Sequence, residues 1–312
     1  MPRYAVRRLF QLIPVLFLSS VAIFAIVRLS PSDPAILLAG GRQSSPETLA
    51  AIRAKYRLND PLPRQYIAWA GNALRGDLGE SFRLKQSVSS MIAQRLPVTL
   101  QLILMSMVLS LAVAVPLGVI AAANKGRPAD RAITALALAA LSSPVFLTGI
   151  VGMLVFSYYL GWLPAFGSGT GLVENLRYLL LPSIALALNM LALSLRVTRN
   201  GMIEALGSNY VQTAIAKGLP RRTVLVKHAL RNALIPLSTV TGLQVGFLLT
   251  GTVLVEYTFG IGGIGSLLVN GIQSSDYPVI QGTTLFVVAA FLLVNLAVDL
   301  LYAAIDPRIR YS

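Results

Sequence analysis

The chain contains no cysteine and a single histidine, His228. A disulfide framework and a thiolate metal site are therefore excluded, and a histidine-based metal centre would have no second imidazole. Charge is scarce too. Only 12% of residues are Asp, Glu, Lys or Arg, against roughly 25% in soluble domains. Acids are the scarcer sign, 12 against 26 Lys and Arg. No G-x-x-x-x-G-K-[ST] loop is present: Gly260 and Gly265 have the glycine spacing, but Ser266 stands where Lys is needed. Neither H-E-x-x-H nor G-x-S-x-G occurs. The sequence lacks the groups for cradling ATP phosphates, for zinc hydrolysis and for serine attack, and it does not read as an enzyme.

What it has instead is apolar length. Of its 312 residues 55% are hydrophobic, and the mean hydropathy is +0.70. These values point to an all-α polytopic membrane protein. A formal net charge of +14 would suit nucleic acid if the cations shared one soluble domain. They lie in the loops between apolar runs, where they report topology instead.

Six runs are long enough to span a bilayer. Leu9–Val27 follows Arg3, Arg7 and Arg8. It is longer than the apolar core of a signal peptide and reads as a retained helix. Val98–Ala123 contains Pro116, a candidate kink, and Ala132–Leu160 contains Pro144. Tyr178–Leu195, Asn232–Val255 and Val279–Val298 complete the set. Tyr158, Tyr159 and Trp162 cluster where the third run ends, as aromatic residues do at a membrane interface. Tyr257–Ser275 is uncharged, but its glycines argue for a re-entrant or outer loop rather than a seventh span.

The two short outer loops hold only Arg177, whereas the segments placed inside hold fifteen Lys and Arg. The positive-inside rule then puts both termini in the cytoplasm. Residues 30–97 form the one large outer polar segment. Ser45-Pro46-Glu47 is a helix start, so 46–57 is expected to be helical, and Pro61–Leu74 reads as a second helix ended by Gly76. The remaining divisions are residues 1–29, a core at 98–303 and a cytoplasmic tail at 304–312. Mid-membrane polar residues are few: Gln101, Asn189, Gln244, Asn295 and Asp299. Each either lines a path or hydrogen-bonds between helices.

Residues 196–232 form the most cationic inner loop. Apolar residues at 203, 206, 210 and 214 have the spacing of one helix face. Gly218-Leu219-Pro220 should stop that helix, and a second should run from about Arg221. Ala214, Ala216, Lys217, Gly218 and Leu219, followed by His228, Leu230, Arg231, Asn232, Ala233, Leu234 and Pro236, resemble the cytoplasmic coupling loop of ABC importer permeases, in their dipeptide/oligopeptide/nickel group. Gln212 and Arg231 stand where the general importer loop has Glu and Pro. Further strings resemble the same family: Pro31-Ser32-Asp33-Pro34, Leu58-Asn59-Asp60-Pro61-Leu62, Gln65-Tyr66 with Trp69, and Gly76-Asp77-Leu78-Gly79 with Ser81. Ser32 replaces a usual Gly, and Gly262 a usual Pro.

The resemblance implies a type I importer permease with six transmembrane helices and an extra extracytoplasmic segment between the first two. It implies a bacterial inner-membrane subunit that pairs with a second, related permease, docks two ATPase subunits and receives substrate from an extracytoplasmic binding protein. ATP and Mg would be bound by the ATPases, with no cofactor or metal in this chain. It implies an ATPase-coupling site at Glu204, Ala205, Tyr210, Ala214, Ala216, Lys217, Gly218, Leu219, His228, Arg231 and Asn232. The stretch 256–278 is either an outer gate, through Glu256, Phe259, Gly263, Gly265, Asp276, Tyr277 and Pro278, or a flexible loop. Di- and oligopeptides are the expected substrate, with nickel, glutathione and opines as alternatives. From other classes, a stand-alone ion-coupled carrier would transport without ATPases, and a membrane scaffold would bind anionic lipid through its basic loop.

Overall fold

The computed structural model describes residues 2–28, 35–36, 45–55 and 59–305. The strings at 31–34 and around Leu58, Tyr56 and the tail from Asp306 lie outside these residues. Every named element is a helix: α1 Pro2–Arg28, α2 Pro46–Lys55, α3 Leu62–Leu74, α4 Val88–Ala123, α5 Pro128–Ser142, α6 Val145–Tyr159, α7 Leu172–Leu206, α8 Asn209–Ala216, α9 Arg221–Thr258, α10 Ile264–Gln273 and α11 Tyr277–Ile305. The last turns of α6 and the second turn of α9 are π-helical, at Met153–Tyr159 and Val224–Leu230. Among the described residues, five helices are long and apolar enough to cross a membrane, and a sixth span results if the bent pair α5–α6 counts as one.

The bent pair corrects the expectation of one continuous third span. Ser143 precedes Pro144, whose ring disfavours the α conformation in its neighbour. Ser143 is extended, with φ −89° and ψ 129°. The helix therefore stops and restarts, and α5 and α6 meet at 99°. Elsewhere proline does not stop the helix: α4 runs unbroken past Pro97 and Pro116.

The chain divides into two compact units, Met1–Thr99 with Gly262–Leu293 and Leu100–Ile261 with Val294–Ser312. In the first, Val88, Met91 and Ile92 of α4 pack with Ile264 and Leu267 of α10 and Val279 of α11. The amphipathic helix α3 docks on α1 through aromatic rings. Tyr66 meets Phe24 edge-on with centroids 5.6 Å apart, Trp69 lies 5.9 Å from Phe24, and the Tyr66 hydroxyl hydrogen-bonds Ser20 at 2.8 Å. Leu9, Phe10 and Leu18 of α1 are exposed, an apolar exterior that suits lipid.

In the second unit α7 is the axis. It packs most extensively on α9, and also on α5 and α6. Of its apolar stretch 67% is buried within the chain, so α7 is a core helix. Two of the mid-membrane polar residues join helices. Asn175 of α7 donates to Gln101 of α4 at 2.6 Å. Gln244 of α9 accepts from Ser194 at 2.9 Å and donates to the Met190 carbonyl at 3.0 Å. Both are interhelical bonds of the expected kind. At the α4–α7 crossing, a Cβ on Gly118 would sit 2.7 Å from the Thr198 Cβ. Gly118→Val is expected to lower stability by roughly 1–3 kcal/mol through overpacking, seen as an earlier thermal unfolding of the detergent-purified chain.

Candidate functional site

The candidate site is the turn between α7 and α9. The expected single helix through 203–214 is in fact two. α7 ends at Leu206, and Gly207 donates to the Ile203 and Glu204 carbonyls. Ser208 is extended, with φ −78° and ψ 151°, and α8 starts at Asn209. The apolar positions 203 and 206 thus belong to α7, and 210 and 214 to α8. A helical period continued across a two-residue break, so the pattern alone read as one helix.

α8 is held down by Val211 and Ala214, both buried. Full burial of a Val side chain is worth about 1.5–3 kcal/mol. The Asn232 amide donates to the Tyr210 hydroxyl at 2.5 Å and to the His228 carbonyl at 3.3 Å, which ties α8 to α9. The expected stop is present. Gly218 has φ +77°; its N–H donates to Ile215 O at 2.9 Å, and the Leu219 N–H to Ala214 O at 3.3 Å. These paired bonds are the Schellman end of a helix, which needs a left-handed residue at this position. Pro220 then starts α9, as read from the sequence. Arg221 donates from Nη2 to the carbonyl of Ala123, the last residue of α4, at 3.2 Å. A cation there faces the negative end of the α4 dipole.

Beneath the turn, small residues let the helices approach closely. Ala205 and Met202 of α7 pack with Ala229 and Ala233 of α9 and Ala122 of α4. Of the eleven residues expected to form the coupling site, Ala205 lies inside this base, Ala214 is buried under α8 and His228 is half-buried. Glu204, Tyr210, Ala216, Lys217, Gly218, Leu219, Arg231 and Asn232 are exposed. The turn is therefore an exposed apolar and cationic tip on a close-packed foundation.

The first turn of α5 carries a feature the sequence reading missed. Asp130 takes both Arg199 bonds, Nε to Oδ1 at 2.6 Å and Nη2 to Oδ2 at 2.8 Å. It also accepts the Gly126 N–H at 2.9 Å. These donors hold its carboxyl at about 2, below the ordinary 3.8, against the opposing effect of burial. Asp130 reads in the sequence only as the one acid among Lys125, Arg127 and Arg131 in a short inner loop; its partner lies sixty-nine residues away, which no local pattern encodes.

The outer-gate residues fall in both units. Glu256 and Phe259 belong to the second and are fully or nearly fully buried. Phe259 packs against Gly149, where an added Cβ would come within 2.8 Å of its ring. Gly263, Gly265, Asp276, Tyr277 and Pro278 belong to the first. There the glycine-rich stretch contains the short helix α10. Gly271 lets α10 approach α11, since a Cβ there would meet the Val279 Cγ1 at 2.9 Å. Asp276 accepts from the Ser81 hydroxyl at 2.5 Å and from the Phe82 and Arg83 amides at 3.1 and 3.3 Å. No group of three or more metal-binding side chains occurs among the described residues.

Comparison with known proteins agrees with this architecture. Residues 114–311 match the family model described as binding-protein-dependent transport system inner membrane component. Residues 1–103 match the N-terminal model of the same transport systems. The glutathione transport system permease protein GsiC of Escherichia coli strain K12 is 40% identical over 312 residues, all of both chains. The protein of the same name in Shigella dysenteriae serotype 1 has the same identity and coverage. A chain of the inward-facing MetNI methionine ABC transporter superposes with a TM-score of 0.58 at 16% identity, over 69% of this chain and 96% of its own. That last likeness is one of fold: the helices arrange as in a type I importer permease, preceded by an N-terminal extension.

Because the folded pKa of Asp130 is depressed, its stabilising contribution is complete above the unfolded value and is lost as pH falls through the folded one. Asp130→Asn should lower the stability of the detergent-purified chain by roughly 1–3 kcal/mol near neutral pH. The gap in unfolding temperature from wild type should close between about pH 4 and pH 2, the two pKa values that bound the transition. A gap that does not change with pH would contradict the ion pair.

Proposed function

The chain belongs to the binding-protein-dependent transport inner-membrane family, as a permease subunit of an ABC importer, and on that premise we propose that its substrate is glutathione. The observation that carries this reading is the end-to-end 40% identity to glutathione permeases. It displaces the expectation of di- and oligopeptides in favour of what stood among the alternatives. Glutathione is itself a peptide-like molecule, so the resemblance to the peptide group and the present reading share a substrate chemistry.

The partners follow from the family. A second permease subunit completes the pathway, two ATPases supply the work, and a binding protein delivers substrate from outside. We assign the ATPase contact to the tip of α8. The tip offers apolar Tyr210, Ile215 and Leu219 among Lys217, Arg222 and Arg231, all exposed. Its foundation of Ala205, Ala229 and Ala233 leaves no slack in which a displacement would be absorbed. Motion at the tip is then passed to α7 and α9, the core helices of the second unit. The coupling works because ATPase closure contacts this element differently in its two states. The division into 1–29, 30–97, 98–303 and 304–312, with both termini inside, is part of this reading, as is an outer gate near 256–278.

The test is uptake by the complete complex in proteoliposomes. ATP-dependent accumulation of glutathione is expected, with dipeptides and nickel taken up poorly. Failure to accumulate glutathione with the binding protein present would refute the substrate. Gly218→Asp should cut uptake at least roughly tenfold while ATP hydrolysis continues, because a left-handed non-glycine residue costs about 1–2 kcal/mol and the charge alters the contact. Wild-type uptake by this variant, at normal expression, would refute the coupling assignment.

A further inference from the structure

The first unit holds an open cleft of about 500 Å³ that no role described so far uses. Its floor is apolar: Met91 of α4, Leu267 of α10 and Val279 of α11. Its rim carries Arg83, from the turn before α4, and Arg95, four residues along α4 from Met91 and so on the same helix face. Arg83 is exposed and Arg95 half-buried. Neither guanidinium has a hydrogen-bond or ion-pair partner among the described residues. Asn270 of α10 adds an amide to the rim.

One carboxylate also lines the cleft, and its geometry matters. Asp276 is only 3% exposed. Its oxygens accept the Ser81 hydroxyl and the Phe82 and Arg83 amides, and the Ser81 hydroxyl in turn accepts the Leu84 amide at 2.9 Å. Asp276 therefore faces the turn and fixes the backbone that carries Arg83. It does not pair with either guanidinium. The cleft is left with two free cations above an apolar floor, at a volume within the range of small-molecule sites, about 300–1,000 Å³.

We propose that this cleft is a binding site for the carboxylate of a small peptide-like substrate, held by Arg83 and Arg95. Guanidinium groups match a carboxylate with paired, charge-assisted bonds. The Asn270 amide and the apolar floor take the neutral part of the molecule. The assignment rests on the glutathione reading only for the identity of the substrate, since every free peptide also ends in a carboxylate. The proposed topology puts the cleft on the outer side, where a substrate released by the binding protein first meets the permease.

The complete complex in nanodiscs provides the test, with phenylglyoxal as arginine reagent and peptide mass spectrometry as readout. Glutathione, glycylglycine and glutathione dimethyl ester are the probes, at millimolar concentration. Glutathione or glycylglycine should slow modification of Arg83 and Arg95 at least roughly threefold relative to the exposed Arg75, which corrects for reagent consumed by the probes' thiols, and the ester should not. Equal protection by the ester, or protection by no probe, overturns the site. Protection by the substrate-free binding protein alone also overturns it, and assigns the cleft to acidic side chains of that partner. Protection by glycylglycine but not glutathione supports the site while telling against glutathione as substrate. The double variant Arg83→Gln/Arg95→Gln should lower uptake at subsaturating substrate roughly tenfold, with Arg83→Lys/Arg95→Lys in between. Unchanged uptake by the Gln variant overturns the site. The labelling needs no variant, so it decides the matter even where the double variant fails to assemble.

Discussion

A backbone N–H or C=O left without a partner costs several kcal/mol in hydrocarbon, and three departures from helix among the described residues are repaired by hydrogen bonds. At the α5–α6 break, the Pro144 carbonyl takes both the N–H and the hydroxyl of Thr148. After α9, the Ile261 N–H returns to Glu256 O at 2.8 Å, and the Phe259 carbonyl accepts the Gly167 N–H at 3.0 Å. At the start of α10, the Ile264 N–H is capped by the Thr99 hydroxyl at 2.9 Å. These three segments are therefore defined structures, each with its own hydrogen-bond solution.

The same constraint explains how much could be read in the sequence. Apolar runs must become helices in lipid, so the spans were legible, as was the Gly218 stop, which needs only local geometry. Illegible features depend on contacts distant in sequence or on residues used against their usual habit. Gly265 and Gly271 look like loop residues, but α10 buries both, and Gly271 serves close packing. The Gly207-Ser208 break preserves the apolar period on either side of it. Asp130 and Asp276 looked like ordinary loop acids; each fastens a turn through partners far along the chain. Of the residues expected to couple to the ATPases, the sequence could not separate the buried Ala205 and Ala214 from the exposed Lys217 and Leu219.

The two units carry complementary chemistry. The second, built on α7 and α9, is dense with small side chains and ends in an exposed cationic turn, suited to transmitting displacement. The first joins the N-terminal segment to α10 and the start of α11, and its polar groups gather around Asp276 and the arginines beside it.

The bend between α5 and α6 bears on how the chain fits its bilayer. A straight helix from Ala132 to Leu160 would reach about 43 Å at 1.5 Å per residue, well beyond the roughly 30 Å of a hydrocarbon core. Tilt absorbs part of such an excess; a 99° corner absorbs it outright. The overlong apolar segment can therefore fit a bilayer of ordinary thickness without the lipid having to thicken around it.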